Sequence, residues 1–225
     1  MSIMTKHCLL VLLMAIVGIQ CMFAQTSKTS KEWEASGHSP VHASLYVEGG
    51  GQMSMYHSTD SKLDPEFSSA FGPTGGLGVN LRFLARDKFH YTRNGWMGLQ
   101  AGVHYMKSGF KADGTKISGD YLCFPVDVQF YPIKDFYIGV GAEYCLNLNL
   151  SPTEVEIQGM HMSFDGKKSN DLKLSAGIGC LFRTKSNPIG VSLKFLMGTT
   201  EFMGNLPWKG NQIRASVFYR FDLND

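Results

Sequence analysis

Between Asp120 and Leu150, apolar and polar residues alternate with period two almost without a break. Leu122, Phe124, Val126, Val128 and Phe130 share one side, and Cys123, Pro125, Asp127, Gln129 and Tyr131 the other. After Pro132, Ile133, Lys134 and Asp135 the pattern resumes. Phe136, Ile138, Val140, Ala142, Tyr144, Leu146, Leu148 and Leu150 oppose Tyr137, Gly139, Gly141, Glu143, Cys145, Asn147 and Asn149. Side chains of a strand leave on alternate faces. The stretch therefore predicts two long strands joined by a short turn, with one face wholly apolar. That face must meet either a protein core or lipid.

The same pattern recurs along the chain. It is predicted from His42 to Met55, Phe71 to Leu84, Gly95 to Ser108, Asp171 to Thr184, Pro188 to Thr199 and Asn211 to Leu223. With the opening pair this makes about eight strands, each long enough for the roughly ten tilted residues that cross a bilayer. The connections at His57–Ser69, Gly109–Gly119, Ser151–Asn170 and Thr200–Gly210 are long and polar, whereas Pro132–Asp135 and Lys185–Asn187 are short. Ala85–Asn94 is intermediate. Short turns on one side and long loops on the other are the pattern of outer-membrane barrels, and an even strand number puts both chain ends on the short-turn side.

Charge placement identifies the solvent. A soluble barrel turns its apolar face inward and must then carry charge outside. Here the polar face is rich in Gly, Ser, Asn and Gln. Its charges are Glu48, Arg82, Asp127, Glu143, Lys173, Arg183, Lys194, Arg214 and Arg220. No charge falls in mid-strand on the apolar face, where a lipid-facing Arg or Lys would cost roughly 2–4 kcal/mol. A lipid-facing exterior and a lumen of mixed charges explain this distribution. The fold class expected is all-β, a single closed antiparallel up-and-down transmembrane barrel. The lumen charges read as a salt-bridge network filling the barrel, with a narrow passive pore as the alternative.

Met1–Ala24 carries Lys6 ahead of an apolar run too short to span a membrane, and reads as a secretory signal peptide. Residues 25–41 read as a flexible periplasmic arm, and 42–223 as the barrel. Loss of the signal leaves a net charge of +1 and three of the five cysteines. Neither nucleic-acid binding nor a disulfide-rich or zinc-knuckle scaffold fits that balance. No cofactor and no metal are expected.

The opening stretch resembles the small "porin family" outer-membrane β-barrel domain of Gram-negative bacteria. The matching residues are Tyr121-Leu122-Cys123-Phe124-Pro125, Phe136-Tyr137-Ile138-Gly139 and Gly98-Leu99-Gln100-Ala101-Gly102-Val103-His104-Tyr105. The resemblance extends loosely over residues 42–223. It implies placement in the outer membrane among lipid and lipopolysaccharide, and it carries over no catalytic residue.

Three local features need weighing. A turn centred on Lys134 sets Cys123 directly opposite Cys145, within disulfide reach; a register one step off leaves two free thiols. Pro125 removes a ladder donor, so a bulge or kink is expected there. His57, Ser58 and Asp60 contain the elements of a hydrolytic site but share one short loop without fixed geometry. The expected role is accordingly structural or surface-interacting and non-enzymatic, as a monomer that meets an extracellular partner through its loops. A lipid-A-modifying acyl hydrolase is the second alternative. Asp113, Lys116, Lys167 and Lys168 read as solvated loop tips or part of an adhesion surface, and Gly75–Gly78 lies too deep in a strand to be a phosphate loop.

Overall fold

The computed structural model describes residues 41–60, 65–83, 97–133, 135–157, 160–163, 170–183, 188–201 and 206–223. The signal peptide, nearly all of the arm, and the 84–96 and 184–187 connections lie outside them, as do Lys167 and Lys168. Ten strands are described: β1 (Val41–Ser58), β2 (Phe67–Phe83), β3 (Met97–Ala112), β4 (Thr115–Ile133), β5 (Phe136–Ser151), β6 (Glu154–Ile157), β7 (Met160–Ser163), β8 (Asp171–Arg183), β9 (Pro188–Gly198) and β10 (Trp208–Asp222). Eight of them close a barrel in the order β1-β10-β9-β8-β5-β4-β3-β2, and β6 and β7 form a separate two-stranded hairpin. All neighbouring barrel strands are antiparallel. Closure removes every sheet edge from the band that must lie in lipid.

The side-chain parity is the one read from sequence. Leu45, Leu77, Val103, Val126, Ile138, Ile178, Leu193 and Val217 are exposed on the outside. Glu48, Asn80, Gln100, Asp127, Glu143, Lys173, Lys194 and Arg214 are buried inside. Phe130, Phe182 and Phe221 stand outward near one end, where aromatic side chains form the girdle of membrane barrels. That end also holds the first and last described strand ends, since the Leu223 N–H donates to the Ala43 carbonyl at 3.0 Å. This is the terminal end of the barrel, and the opposite end is the loop end.

Four expectations change, three of them at the loop end. The polar loop expected at Gly109–Gly119 is instead a continuation of β3 and β4. Their ladder runs to Ala112 opposite Thr115, and the turn is Asp113–Gly114, both at positive φ (47° and 80°). An Asp-Gly pair suits the two-residue hairpin turn whose twist matches its strands. Second, the 151–170 connection contains the β6–β7 hairpin. Third, Leu150 points inward rather than outward. The β4–β5 register shifts between Asp120 and Tyr121, where Asn149 and Asn147 are the successive partners, so Leu148 is an extra residue and parity reverses beyond it. Leu148 and Asn149 are both exposed while Leu150 is buried. Fourth, Pro125 shifts no register. The β3–β4 pairs keep one alignment on both sides of it, although the ladder skips Phe124 and Pro125.

Glycines inside the barrel give large rings room. A Cβ at Gly78 or Gly102 would overlap Tyr46, one at Gly179 would overlap the Tyr137 ring, and one at Gly190 would overlap Phe218. An eight-stranded barrel is just wide enough for side chains to fill it, and a bare backbone on the neighbouring strand is what admits an aromatic ring.

Candidate functional site: the filled lumen

The lumen is organised in layers. At the loop end Phe110, Ala112, Ile117, Leu150, Val155, Ile157 and Trp208 form a buried apolar cluster, with Tyr56, Phe67 and Leu206 packed against it. Phe110 and Phe67 both meet Trp208 edge-on, at centroid separations of 6.0 and 5.5 Å. Val155 and Ile157 come from β6, so the hairpin in the long connection helps to cover this end. At the terminal end Tyr131, Tyr137, Leu181 and Phe218 form a second buried cluster.

Between these clusters lie the charges. Arg214 donates from Nη1 to Glu143 Oε2 at 2.8 Å and from Nη2 to Glu143 Oε1 at 2.7 Å. This two-pronged pairing is the strongest geometry available to a guanidinium and a carboxylate. Arg214 Nη1 also lies 3.3 Å from His104 Nδ1, the same nitrogen that lies 3.3 Å from Glu48 Oε1. His104 Nε2 is 3.3 Å from the Tyr46 hydroxyl. A second group is built on Asp127, which accepts from Lys194 Nζ at 2.5 Å and from Ser175 Oγ at 2.7 Å. Lys173 Nζ lies 3.4 Å from Asp171 and 5.8 Å from the centroid of the Tyr121 ring.

Cys145 Sγ lies 4.0 Å from Lys173 Nζ and 3.4 Å from Glu143 Oε1, between the Lys173 and Arg214 groups, and two arginines lie against rings. The Arg82 guanidinium stacks 3.7 Å from the Tyr131 centroid. Arg220 donates to the Tyr131 hydroxyl at 3.2 Å and lies 5.1 Å from the Phe218 centroid. Gln129 ties this region together. Its Oε1 accepts from Asn80 at 2.9 Å and from the Tyr131 hydroxyl at 2.6 Å, and its Nε2 donates to Gln100 at 2.7 Å. The side chain of Arg183 lies outside the described residues. Residues that sequence reasoning did not single out, Asp171, Gln129, Tyr131 and Ser175, complete these groups; inward parity was the available signal for the last three.

Cys123 is directly opposite Cys145, with Cα atoms 4.0 Å apart, and the two are joined in a disulfide. Their sulfurs and a Glu143 oxygen form a cluster of donor atoms within 4.8 Å. That set does not suit a metal ion. The sulfurs are bonded to each other, both Glu143 oxygens accept from Arg214, and Lys173 Nζ stands 4.0 Å from Cys145 Sγ. A dication there would face two fixed cations. Cys180 is a free thiol on the outward parity of β8.

His57 and Ser58 are consecutive in β1 and so leave the strand on opposite faces. Ser58 Oγ donates to the Asp60 carbonyl at 2.7 Å and accepts from the Asp60 N–H at 3.1 Å. These contacts are those of a local turn. His57 is exposed opposite Lys209.

No family model matches the chain, and no curated protein matches it. The narrower porin-family resemblance therefore has no family match behind it. Among solved structures the chain is similar to Neisserial surface protein A, with 16% identity and a TM-score of 0.49 over 79% of this chain and 97% of that one. It is similar to Ail, the attachment invasion locus protein of Yersinia pestis, with 16% identity and a TM-score of 0.40 over 80% and 99%. The outer membrane protein OprG from Pseudomonas aeruginosa gives 12% identity and 0.39 over 80% and 96%. The likeness concerns the barrel alone, and no residue role follows from it.

Proposed function

We propose that this chain works in the bacterial outer membrane as a monomeric, side-chain-filled barrel with a structural and surface-interaction role, without catalysis or solute conduction. The terminal end faces the periplasm and the loop end the exterior. The placement is supported by the closed ladder, the outward apolar band with aromatic residues at its rim, and the signal-like N-terminus. The observation that carries the functional reading is the lumen. Apolar clusters sit at both ends, and bonded charges occupy the space between them. A water path would have to open both clusters and break charge-assisted contacts. Beyond the apolar band the β3–β4 hairpin continues, braced by Phe67–Ser69 of β2 on one side and by Leu150 and Ser151 of β5 on the other, and its outer face supplies an exposed surface for a partner.

Planar-bilayer recording of the purified, refolded chain tests this reading. The expected result is no stepwise conductance. Regular single-channel steps that persist in repeated preparations overturn it in favour of a pore. Heat-modifiable gel migration in the outer-membrane fraction tests the placement separately.

A further inference from the structure

On β3 the outward residues run Leu99, Ala101, Val103, Tyr105 and then Lys107, Gly109 and Lys111. On β4 the outward side begins with Lys116, Ser118 and Asp120 before it becomes apolar at Leu122. Lys107, Lys111 and Lys116 are all exposed. Lys111 and Lys116 are directly opposed across the ladder. Like charges in that position repel and weaken a strand pair. No side-chain ion pair or hydrogen bond relieves them among the described residues. The acid opposite Lys107 is Asp120, and its Oδ1 accepts from the Tyr105 hydroxyl at 2.7 Å. Three cations therefore share one face, two of them at an energetic disadvantage in the isolated protein.

Their height gives the reason. A strand rises about 3.3 Å per residue and a membrane strand tilts by about 45°. Lys107 then stands about 5 Å above Tyr105 along the membrane normal, and Lys111 and Lys116 about 14 Å above it. All three leave the wall on the lipid-facing side, not toward the lumen, and a lysine stem is long enough to lower its ammonium toward the headgroups. We propose that Lys107, Lys111 and Lys116 form a binding surface for the phosphate groups of an outer-leaflet glycolipid. An anion held between Lys111 and Lys116 turns a repulsion into two attractions. The inference rests on the outer-membrane placement proposed above.

The test uses the full mature chain refolded in neutral detergent micelles and titrated with diphosphorylated lipid A or its dephosphorylated form. Wild type is expected to prefer the phosphorylated form by about tenfold or more, because each lysine near an anionic surface contributes appreciably. The Lys107→Gln/Lys111→Gln/Lys116→Gln variant is expected to lose that preference, and the matching triple Arg variant to keep it. In lipid-A-free micelles, Lys111→Gln alone is expected to raise the urea midpoint. An unchanged preference in the triple Gln variant overturns the proposal, as does no preference in wild type. Loss of binding to a soluble sulfated polysaccharide with lipid A binding unaltered overturns it in favour of a glycan partner. Gel migration before and after heating is read on each sample. A chain that fails to fractionate with the outer membrane defeats the placement, whereas a membrane-borne barrel with unaltered lipid A binding defeats this inference alone.

Discussion

Replacing Glu143 by Leu tests whether the lumen is held together by compensated charge. Glu143 and Arg214 are each 1% exposed. The substitution removes both short bonds to the guanidinium. What remains around Arg214 is longer and uncharged at the contact atoms. Gln52 Oε1 and Met106 Sδ lie 3.4 Å away and His104 Nδ1 3.3 Å. Glu143 is the one carboxylate bonded directly to Arg214 among the described residues, and a buried cation that loses such a partner costs roughly 3–5 kcal/mol. Replacing the pair together, as Glu143→Leu/Arg214→Met, removes both charges at once and is expected to lie within about 1–2 kcal/mol of wild type. The coupling between the two sites is then at least about 2 kcal/mol. The assay is urea unfolding of the refolded barrel in lipid vesicles, followed by the fraction that still migrates as folded on an unheated gel. A single variant that loses less than about 1 kcal/mol, or a double variant as unstable as the sum of the singles, would refute the reasoning.

Four further outcomes follow from other parts of the lumen. Alkylation of the unreduced, denatured mature chain should add one group, at Cys180, and three groups after reduction; three without reduction would remove the disulfide from the description. Reducing that bond, which closes a separation of 22 residues, should lower stability by about 3 kcal/mol on the chain-entropy account, read as a shift of the urea midpoint. Gly179→Val should expel the Tyr137 ring and cost about 1–3 kcal/mol; pairing it with Tyr137→Ala should recover part of the loss, and no recovery would argue against the ring as the cause. Tyr131→Leu removes the face beneath Arg82 and the hydroxyl that accepts from Arg220, and should cost about 2 kcal/mol; unaltered unfolding would show that both arginines are held by other groups.

Strand facing was legible because a period of two needs no knowledge of partners. Around Asp127, Lys173 and Lys194, where Val, Leu or Phe alternates with charge, the apolar residues stand outside and the charge inside, whereas at the loop end Phe110 and Ile117 are buried and Lys111 and Lys116 beside them are exposed. Parity failed at Leu150 because one bulged residue, Leu148, reverses every side chain beyond it, and a bulge leaves no mark in hydrophobicity. The end of the β3–β4 hairpin reads as a loop because a bilayer requires only about ten residues per strand, whereas β3 has 16 residues. The Asp113-Gly114 pair is the turn signal in that stretch. The apolar inward residues Met106, Phe110, Leu196 and Phe218 are not legible by parity, because a buried hydrophobe on the polar face looks like a break in the pattern. The contact of Arg82 with Tyr131 joins residues 49 positions apart on strands that are not neighbours. Both strands flank β3, and the bare backbone of Gly98 between them leaves room for the Tyr131 ring to reach Arg82.

The two ring-lined ends have a consequence for how readily this molecule can be made to leak. Resistances in series are governed by the larger, so clearing one end leaves the other in command. Loss of the Tyr137 and Phe218 rings alone should leave the membrane as tight as before, and so should loss of Phe110 and Trp208 alone. Permeability would appear only when both ends are cleared in one chain. Random substitution in either cluster therefore damages the folding of this barrel before it breaches the compartment that the barrel helps to wall off.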